Sequence, residues 1–305
     1  MRVLVIGASG YLGLAVAKAL RLRGHDVVGM VRSDVGQKIV AAGGLTPVRG
    51  DLGDAAALAD MLEDVDAVIE TASADNHRAA VDIARLLAGS GKRYVRTSGA
   101  GIYSELTVGE PASRVYAEDE PFTPHESYRA RLRTDESVVA AAATGVHSVV
   151  LRPGMVYGAG GSEHLPVLLQ AALRNGVSRY VGRGLNQYGN VYLDDLAVGY
   201  VLALESAPAG SIFNLTSGES TIGEIAEGVS EALGLVPPVS VSLAGSIQAL
   251  GSLYGLGIAV AARVDSTKAV RELGWRPQGP TLLEDLTQGS YRRLWGRRIP
   301  TLTAS

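Results

Sequence analysis

The sequence predicts an α/β protein built on a doubly wound parallel sheet. Three observations carry that expectation. The chain opens on an apolar, β-branched run, Val3 to Ile6, which turns through glycines into a helical pattern. Strand-like and helix-like segments then alternate at short spacing as far as Thr97, as parallel strands joined by right-handed crossovers require. Finally, 47% of the 305 residues are hydrophobic, enough to bury a substantial core in one large unit or two domains.

The elements follow in order. Gly7, Gly10 and Gly13 come after the first strand, and Leu12, Ala15, Val16, Ala19 and Leu20 recur behind them at helical spacing. A strand that turns through glycines into a helix makes an anion site. The backbone can approach a pyrophosphate closely, and the helix N-terminus offers free N–H groups and a positive dipole end. The spacing is G-x-x-G-x-x-G rather than the commoner G-x-G-x-x-G. Because the chain holds 38 glycines, the flanking strand and helix carry the argument, not the glycines alone.

Arg23-Gly24-His25 ends the first helix, and Asp26 to Val31 reads as the second strand. Arg32-Ser33-Asp34 stands at its C-terminal end, where a dinucleotide's adenosine ribose would lie. An acid there would bind the 2′-hydroxyl of NAD and repel a 2′-phosphate. Val31 holds the place expected for the acid and Arg32 follows, so NADP(H) is expected ahead of NAD(H). Asp34, turned inward, would reverse the preference.

Leu45 to Val48 is the third strand, ending in Arg49-Gly50-Asp51-Leu52, and Asp54 is expected to cap a helix through Leu62. The fourth strand, Asp66 to Glu70, ends at Thr71-Ala72-Ser73, small residues across which a cofactor could lie. A helix over about Asn76 to Leu87 and a fifth strand, Lys92 to Thr97, complete the alternation.

Composition excludes several functions. The net charge of −3 is spread along the chain, so neither nucleic acid nor an acidic membrane surface is an expected partner. There is no Cys, and the five His residues are far apart, so no metal site is expected. The chain starts straight into a strand rather than a signal peptide, which makes the cytoplasm the default location. Ala232 to Ala262 lacks charged residues and His, and its 243–262 segment has just the length of a membrane span. Pro237-Pro238 and several glycines break the run. A buried helix, a lid or a subunit interface is expected instead, which leaves a homodimer open.

Several spaced motifs resemble the extended short-chain dehydrogenase/reductases of the NAD-dependent epimerase/dehydratase type. Gly7-x-x-Gly10-x-x-Gly13, with Ser9, Tyr11 and Leu12 between and around the glycines, is similar to that family's cofactor loop. Gly50-Asp51-Leu52 resembles its adenine-side contact. Leu151-Arg-Pro-Gly-Met-Val-Tyr-Gly158 resembles the segment that brings Pro153 and Val156 toward the nicotinamide. Val191-Tyr-Leu-Asp-Asp-Leu-Ala197 and Glu272-Leu-Gly-Trp-Arg-Pro277 resemble two later family stretches. The resemblance implies a Rossmann cofactor domain over residues 1–158 plus 188–213. A smaller substrate-binding domain would cover 159–187 plus 214–305.

It also implies a chemistry. The family works with a Ser or Thr, a Tyr, and a Lys four residues after the Tyr. The Tyr exchanges a proton with the substrate oxygen, and the Lys lowers a phenol pKa that is otherwise near about 10. Tyr128 falls at the Tyr position, but Leu132 stands where the Lys belongs. Aligned on Ile102-Tyr103, the hydroxyl position falls on Gly99, with Ser98 one residue short and Thr97 two. Ser98 could serve if the turn shifts. Arg131, about 60° from Tyr128 around a helix, could supply the cation. Tyr103, Tyr157 and Tyr192 are implied to line the substrate cleft. Asp194 or Asp195 is expected to cap a helix through Leu204. Arg152 is expected on a substrate anion or a loop carboxylate.

The expectation is an NADP(H)-dependent oxidoreductase of the epimerase/dehydratase type acting on a small carbonyl or alcohol, or a sugar epimerase or dehydratase using transient hydride transfer. The reductase stands ahead because the Ser/Tyr/Lys set is incomplete. Two alternatives stand beside it: a non-catalytic NADP(H)-binding or redox-sensing protein, and a non-redox enzyme that reuses the pocket.

Overall fold

The computed structural model describes residues 1–296; residues 297–305, the end of the expected substrate-binding region, lie outside the described residues. The first half runs β1 (Arg2–Ile6), α1 (Tyr11–Leu22), β2 (Asp26–Val31), α2 (Asp34–Ala42), β3 (Thr46–Arg49), α3 (Ala55–Glu63), β4 (Ala67–Glu70), α4 (His77–Leu86) and β5 (Arg93–Thr97). Then come β6 (Glu105–Leu106), α5 (Arg129–Ala140), β7 (His147–Pro153), β8 (Met155–Tyr157), α6 (Leu165–Asn175), β9 (Val177–Val181), β10 (Gln187–Tyr192), α7 (Leu193–Ser206) and β11 (Ser211–Leu215). The chain continues through β12 (Gly218–Thr221), α8 (Ile222–Leu233), β13 (Val236–Val241), α9 (Leu243–Gly257), β14 (Val260–Ala261), α10 (Thr267–Leu273), α11 (Leu282–Thr287) and α12 (Ser290–Trp295).

Seven strands form one sheet in the order β11-β7-β5-β4-β1-β2-β3, and all its pairings are parallel. The chain winds outward in both directions from β1. The order therefore reverses between β1 and β4, where a doubly wound sheet opens a crevice beyond its strand ends. Strand periodicity explains the two-sided core. Val3 and Val5 pack against α1 and α7 on one face, while Leu4 and Ile6 pack against α3 and α4 on the other.

A smaller lobe stands beside the large sheet. Leu165 and Leu169 of α6, Ile225 and Val229 of α8, and Leu282 and Leu286 of α11 close a separate core. Asp54 caps α3 as the sequence predicts, accepting from Ala57 N, and in the smaller lobe Thr221 with Glu224 forms a capping box at α8, which the sequence reading had not singled out.

Two local expectations are corrected. Neither aspartate caps α7, whose N-cap is Tyr192. Asp195 instead accepts from the N–H groups of Gln278 and Gly279, each at 2.9 Å, while its carbonyl accepts from Trp275 Nε1. It thereby pins the turn after α10 onto the start of α7. Of the alternatives for the uncharged 232–262 stretch, the single buried helix is not what forms: it is the end of α8, β13, a broken α9 that folds back on itself at Gly251 (φ +79), and β14. Gly255 packs on the backbone of Ile247, and Leu253 stays 72% exposed. Among the described residues, no helix is long and apolar enough to cross a membrane.

Candidate active site

The glycine turn shows why each glycine is there. Gly7 has φ +86, a conformation open to glycine at little cost. A Cβ on Gly13 would stand 2.2 Å from the Gly7 carbonyl oxygen and 2.6 Å from Thr71 Oγ1. Only a bare Cα lets α1 pack this closely on the end of β1. Gly13→Ala is therefore expected to abolish nicotinamide-dinucleotide binding, read by calorimetric titration, and to lower stability by about 1–3 kcal/mol or more through overpacking. Normal binding by this variant would show that the loop is not the cofactor's seat.

Above the turn lies a cavity of about 490 Å³, lined by Gly7, Ser9, Gly10, Arg32, Asp51, Leu52, Thr71, Ala72 and Ser73. Gly10 is the N-cap of α1 and offers no side-chain cap, so the first N–H groups of that helix have no side-chain partner there. Free N–H groups, a glycine floor and a helix N-terminus suit a pyrophosphate. The set fits a dinucleotide. Asn76 and Arg78 of the α4 entry also line this cavity, and sequence reading passed over both.

Not every expected cofactor contact faces that cavity. Tyr11 donates to the Gly158 carbonyl at 2.9 Å, tying the loop to the far side of the cleft. Leu12 and Val156 pack against the core. Ser33 caps α2 by accepting from Gly36 N. The Thr97 hydroxyl donates to the Glu70 carbonyl and pairs with Tyr200 Oη at 2.6 Å. Pro153 ends β7, its carbonyl on the floor beside Gly99.

The catalytic candidates separate. Tyr128 closes a short 3-10 turn and leads into α5. The Arg131 guanidinium carbon lies 5.2 Å from the centre of its ring. Asp75 grips Arg131 through Nε and Nη2 at 2.7–2.9 Å. That leaves Nη1, and a Cβ built on Gly99 would stand 3.1 Å from it. The guanidinium thus reaches the space that a hydroxyl side chain at residue 99 would use.

Ser98 does not reach that space. It is buried and donates to Asp135 Oδ2 at 2.8 Å. Leu132 packs into an apolar cluster with Ile102 and Tyr103. Two of the tyrosines expected in the substrate cleft are core residues, and the structure corrects that expectation. Tyr103 is 2% exposed and accepts from Arg152 Nη1, while Tyr157 is 1% exposed and donates to the Pro280 carbonyl. Tyr192 packs between Gly158 and Gly279. Arg152 is also buried, and of its two expected partners it takes a carboxylate, that of Asp135 at 3.0 Å, which comes from α5 rather than from a loop.

Sequence reasoning missed Tyr188. Its hydroxyl and that of Tyr128 both lie beside Gly101, 3.5 and 3.4 Å from where a Cβ would stand. The available signal was the strand period: Tyr188, Asn190 and Tyr192 share one face of β10. It also missed Asp135, on which Arg96, Ser98 and Arg152 converge.

A glycine turn, a helix N-terminus and a cavity at the switch point of a parallel sheet define a dinucleotide-binding protein of the Rossmann class. The chain belongs to the NAD dependent epimerase/dehydratase family, whose model matches residues 3–216. An uncharacterized protein of Schizosaccharomyces pombe is 31% identical, covering 95% of this chain and all of that one. A 2-alkyl-3-oxoalkanoate reductase of Stenotrophomonas maltophilia is 31% identical over 72% of this chain and 71% of its own length. Among solved structures, a dTDP-glucose 4,6-dehydratase of Streptomyces venezuelae with NAD bound superposes with a TM-score of 0.77 at 24% identity, covering 98% and 97% of the two chains. The protein is an NAD(P)-dependent enzyme of the oxidoreductase or epimerase/dehydratase kind.

Proposed function

We propose that this protein is an NADP(H)-dependent reductase of small carbonyl compounds, with Tyr128 as the proton relay. One observation carries the reading: the Tyr128 ring lies beneath a guanidinium whose free Nη1 reaches the gap above Gly99. The cation and the donor that the resemblance assigns to Lys and Ser are thereby supplied by a single side chain, Arg131. When bound, the reduced nicotinamide supplies the hydride that converts a carbonyl carbon into an alcohol carbon. Tyr128 gives its proton to the carbonyl oxygen. Arg131 Nη1 offers a charged donor beside it, oriented by the Asp75 clamp.

The cofactor loop, Arg32, Asp51 and the Thr71–Ser73 turn would hold the dinucleotide. Residues 1–158 with 188–213 would form that half, and 159–187 with the chain after 214 would bind the substrate. A 3-oxo acid or ester is the first substrate class to test, in view of the Stenotrophomonas relative.

Preference for NADPH rests on Arg32. It lines the cavity, whereas Asp34 is drawn outward onto Arg49 at 2.7 Å. An acid that would repel a 2′-phosphate is thus held by another partner. Titrating both cofactors against wild type and Arg32→Ala should show NADPH ahead by about ten- to a hundredfold, the worth of a charged hydrogen bond. The alanine variant should lose most of that ratio. Equal affinities in the wild type would end the argument.

A second reading has one observation in its favour. Leu132 is packed into an apolar cluster, with no ammonium near the phenol from that position. An NADP(H) sensor without turnover would look the same there. Oxidation of NADPH with any carbonyl compound separates the two readings.

A further inference from the structure

Tyr188, on β10, reaches the point that Tyr128 reaches from the start of α5. A Cβ built on Gly101 would stand 3.4 Å from Tyr128 Oη and 3.5 Å from Tyr188 Oη. The two hydroxyl oxygens thus stand at nearly equal distances from one point above Gly101, which no side chain of that residue occupies. Gly101 does not have a positive φ, so the backbone does not require glycine there. What glycine provides is the gap.

We propose that Tyr188 is a second hydrogen-bond donor to the substrate's carbonyl oxygen, facing Tyr128 across Gly101. The inference rests on the reductase reading and adds the residue that holds the oxygen while its charge develops. The two phenols sit in different surroundings. Tyr188 is partly buried, and burial, with Tyr128 adding to it, pushes its phenol up to about 12, while Ser104 and Arg131 act in the opposite sense. It therefore keeps its proton at neutral pH and acts as a neutral donor. Tyr128 instead stands under the Arg131 guanidinium, whose carbon lies 5.2 Å from the centre of its ring. In this reading Tyr128, beside the cation, is the proton giver, and Tyr188, across the gap, is the fixed donor. In the reduction, with NADPH oxidised to NADP⁺, the C=O π pair moves onto oxygen. The oxygen takes the Tyr128 proton, and Tyr188 holds it without losing its own.

The test uses the full chain. Wild type with NADPH is screened on a panel of 3-oxo acids, 3-oxo esters and simple ketones, and the best substrate is taken forward. Tyr188→Phe keeps the ring and should lower kcat about 10²–10³-fold, the usual cost of one oxyanion donor. NADPH affinity should stay within about twofold, because Tyr188 does not line the cofactor cavity. A second readout needs no turnover. The infrared carbonyl band of the same substrate, bound with NADP⁺, should be lowered in wild type and move back toward its free position in Tyr188→Phe. Gly101→Ala fills the gap with a methyl at ordinary contact distance, so it should fold normally and lose turnover at least as far. Wild-type kcat and an unmoved carbonyl band in Tyr188→Phe, or full activity in Gly101→Ala, would overturn the inference alone. No carbonyl turned over by wild type would overturn the reductase reading itself.

Discussion

Tyr128→Phe will lower turnover about 10²–10⁴-fold, the usual worth of general acid–base help, while leaving NADPH affinity within a few-fold. The substitution removes one oxygen and keeps the ring. The ring's place beneath the Arg131 guanidinium and against the Ile102–Tyr103 cluster is retained, so the fold should not notice. Tyr128 is not part of the cofactor cavity lining, so binding and turnover should separate cleanly. Single-turnover oxidation of NADPH against cofactor titration measures both. Arg131→Ala should cost less turnover, because the phenol remains and only its cation and the Gly99-side donor are lost. Full turnover by Tyr128→Phe on the true substrate would place the relay elsewhere and move the sensor or non-redox readings ahead.

Asp135→Ala will destabilise the protein by about 3–5 kcal/mol, the cost of stranding a buried charge. Asp135 is wholly buried at the ends of β5 and β7. Its Oδ2 takes hydrogen bonds from Arg152 Nε and Ser98, and its Oδ1 lies 3.5 Å from Arg96 Nε. Both arginines are buried too, and Glu70 is the other carboxylate among them, 3.2 Å from Arg96 Nη1. Burial pushes the Glu70 carboxyl up, and Arg96 beside it pulls it down. Two guanidiniums are thus matched by two carboxylates, and removing one carboxylate leaves an unpaired positive charge in a low-dielectric interior. The midpoint of urea unfolding should fall, with its slope unchanged. Cofactor binding should weaken as well, because Arg96 Nη2 holds the Ala74 carbonyl in the loop below the cavity. An unfolding midpoint equal to wild type would show that water or a rearrangement takes over the charge.

The sequence by itself determined the layered fold and the place of the cofactor loop. Both rest on short-range patterns. Val3 to Ile6 is uninterrupted and apolar because both faces of β1 are covered, and Gly7, Gly10 and Gly13 are spaced by the geometry of one turn. Such signals need no knowledge of a distant partner. The family motifs extended this reading to Arg152 and Asp195, but they gave a position along the chain and not the direction of a side chain. Tertiary structure alone decided those directions. Tyr103 and Tyr157 turn into cores, Ser98 turns to Asp135, and Asp195 holds the 278–279 backbone. It also decided the pairs that define the candidate site. Arg131 meets Asp75 from 56 residues away, and the Tyr188 and Tyr128 hydroxyls, from β10 and the start of α5, both come to the Cα of Gly101. Periodicity says that a residue has a buried face. Which polar group shares that burial depends on how separate elements dock, and an unpaired charge or donor there costs several kcal/mol, so docking selects the partner.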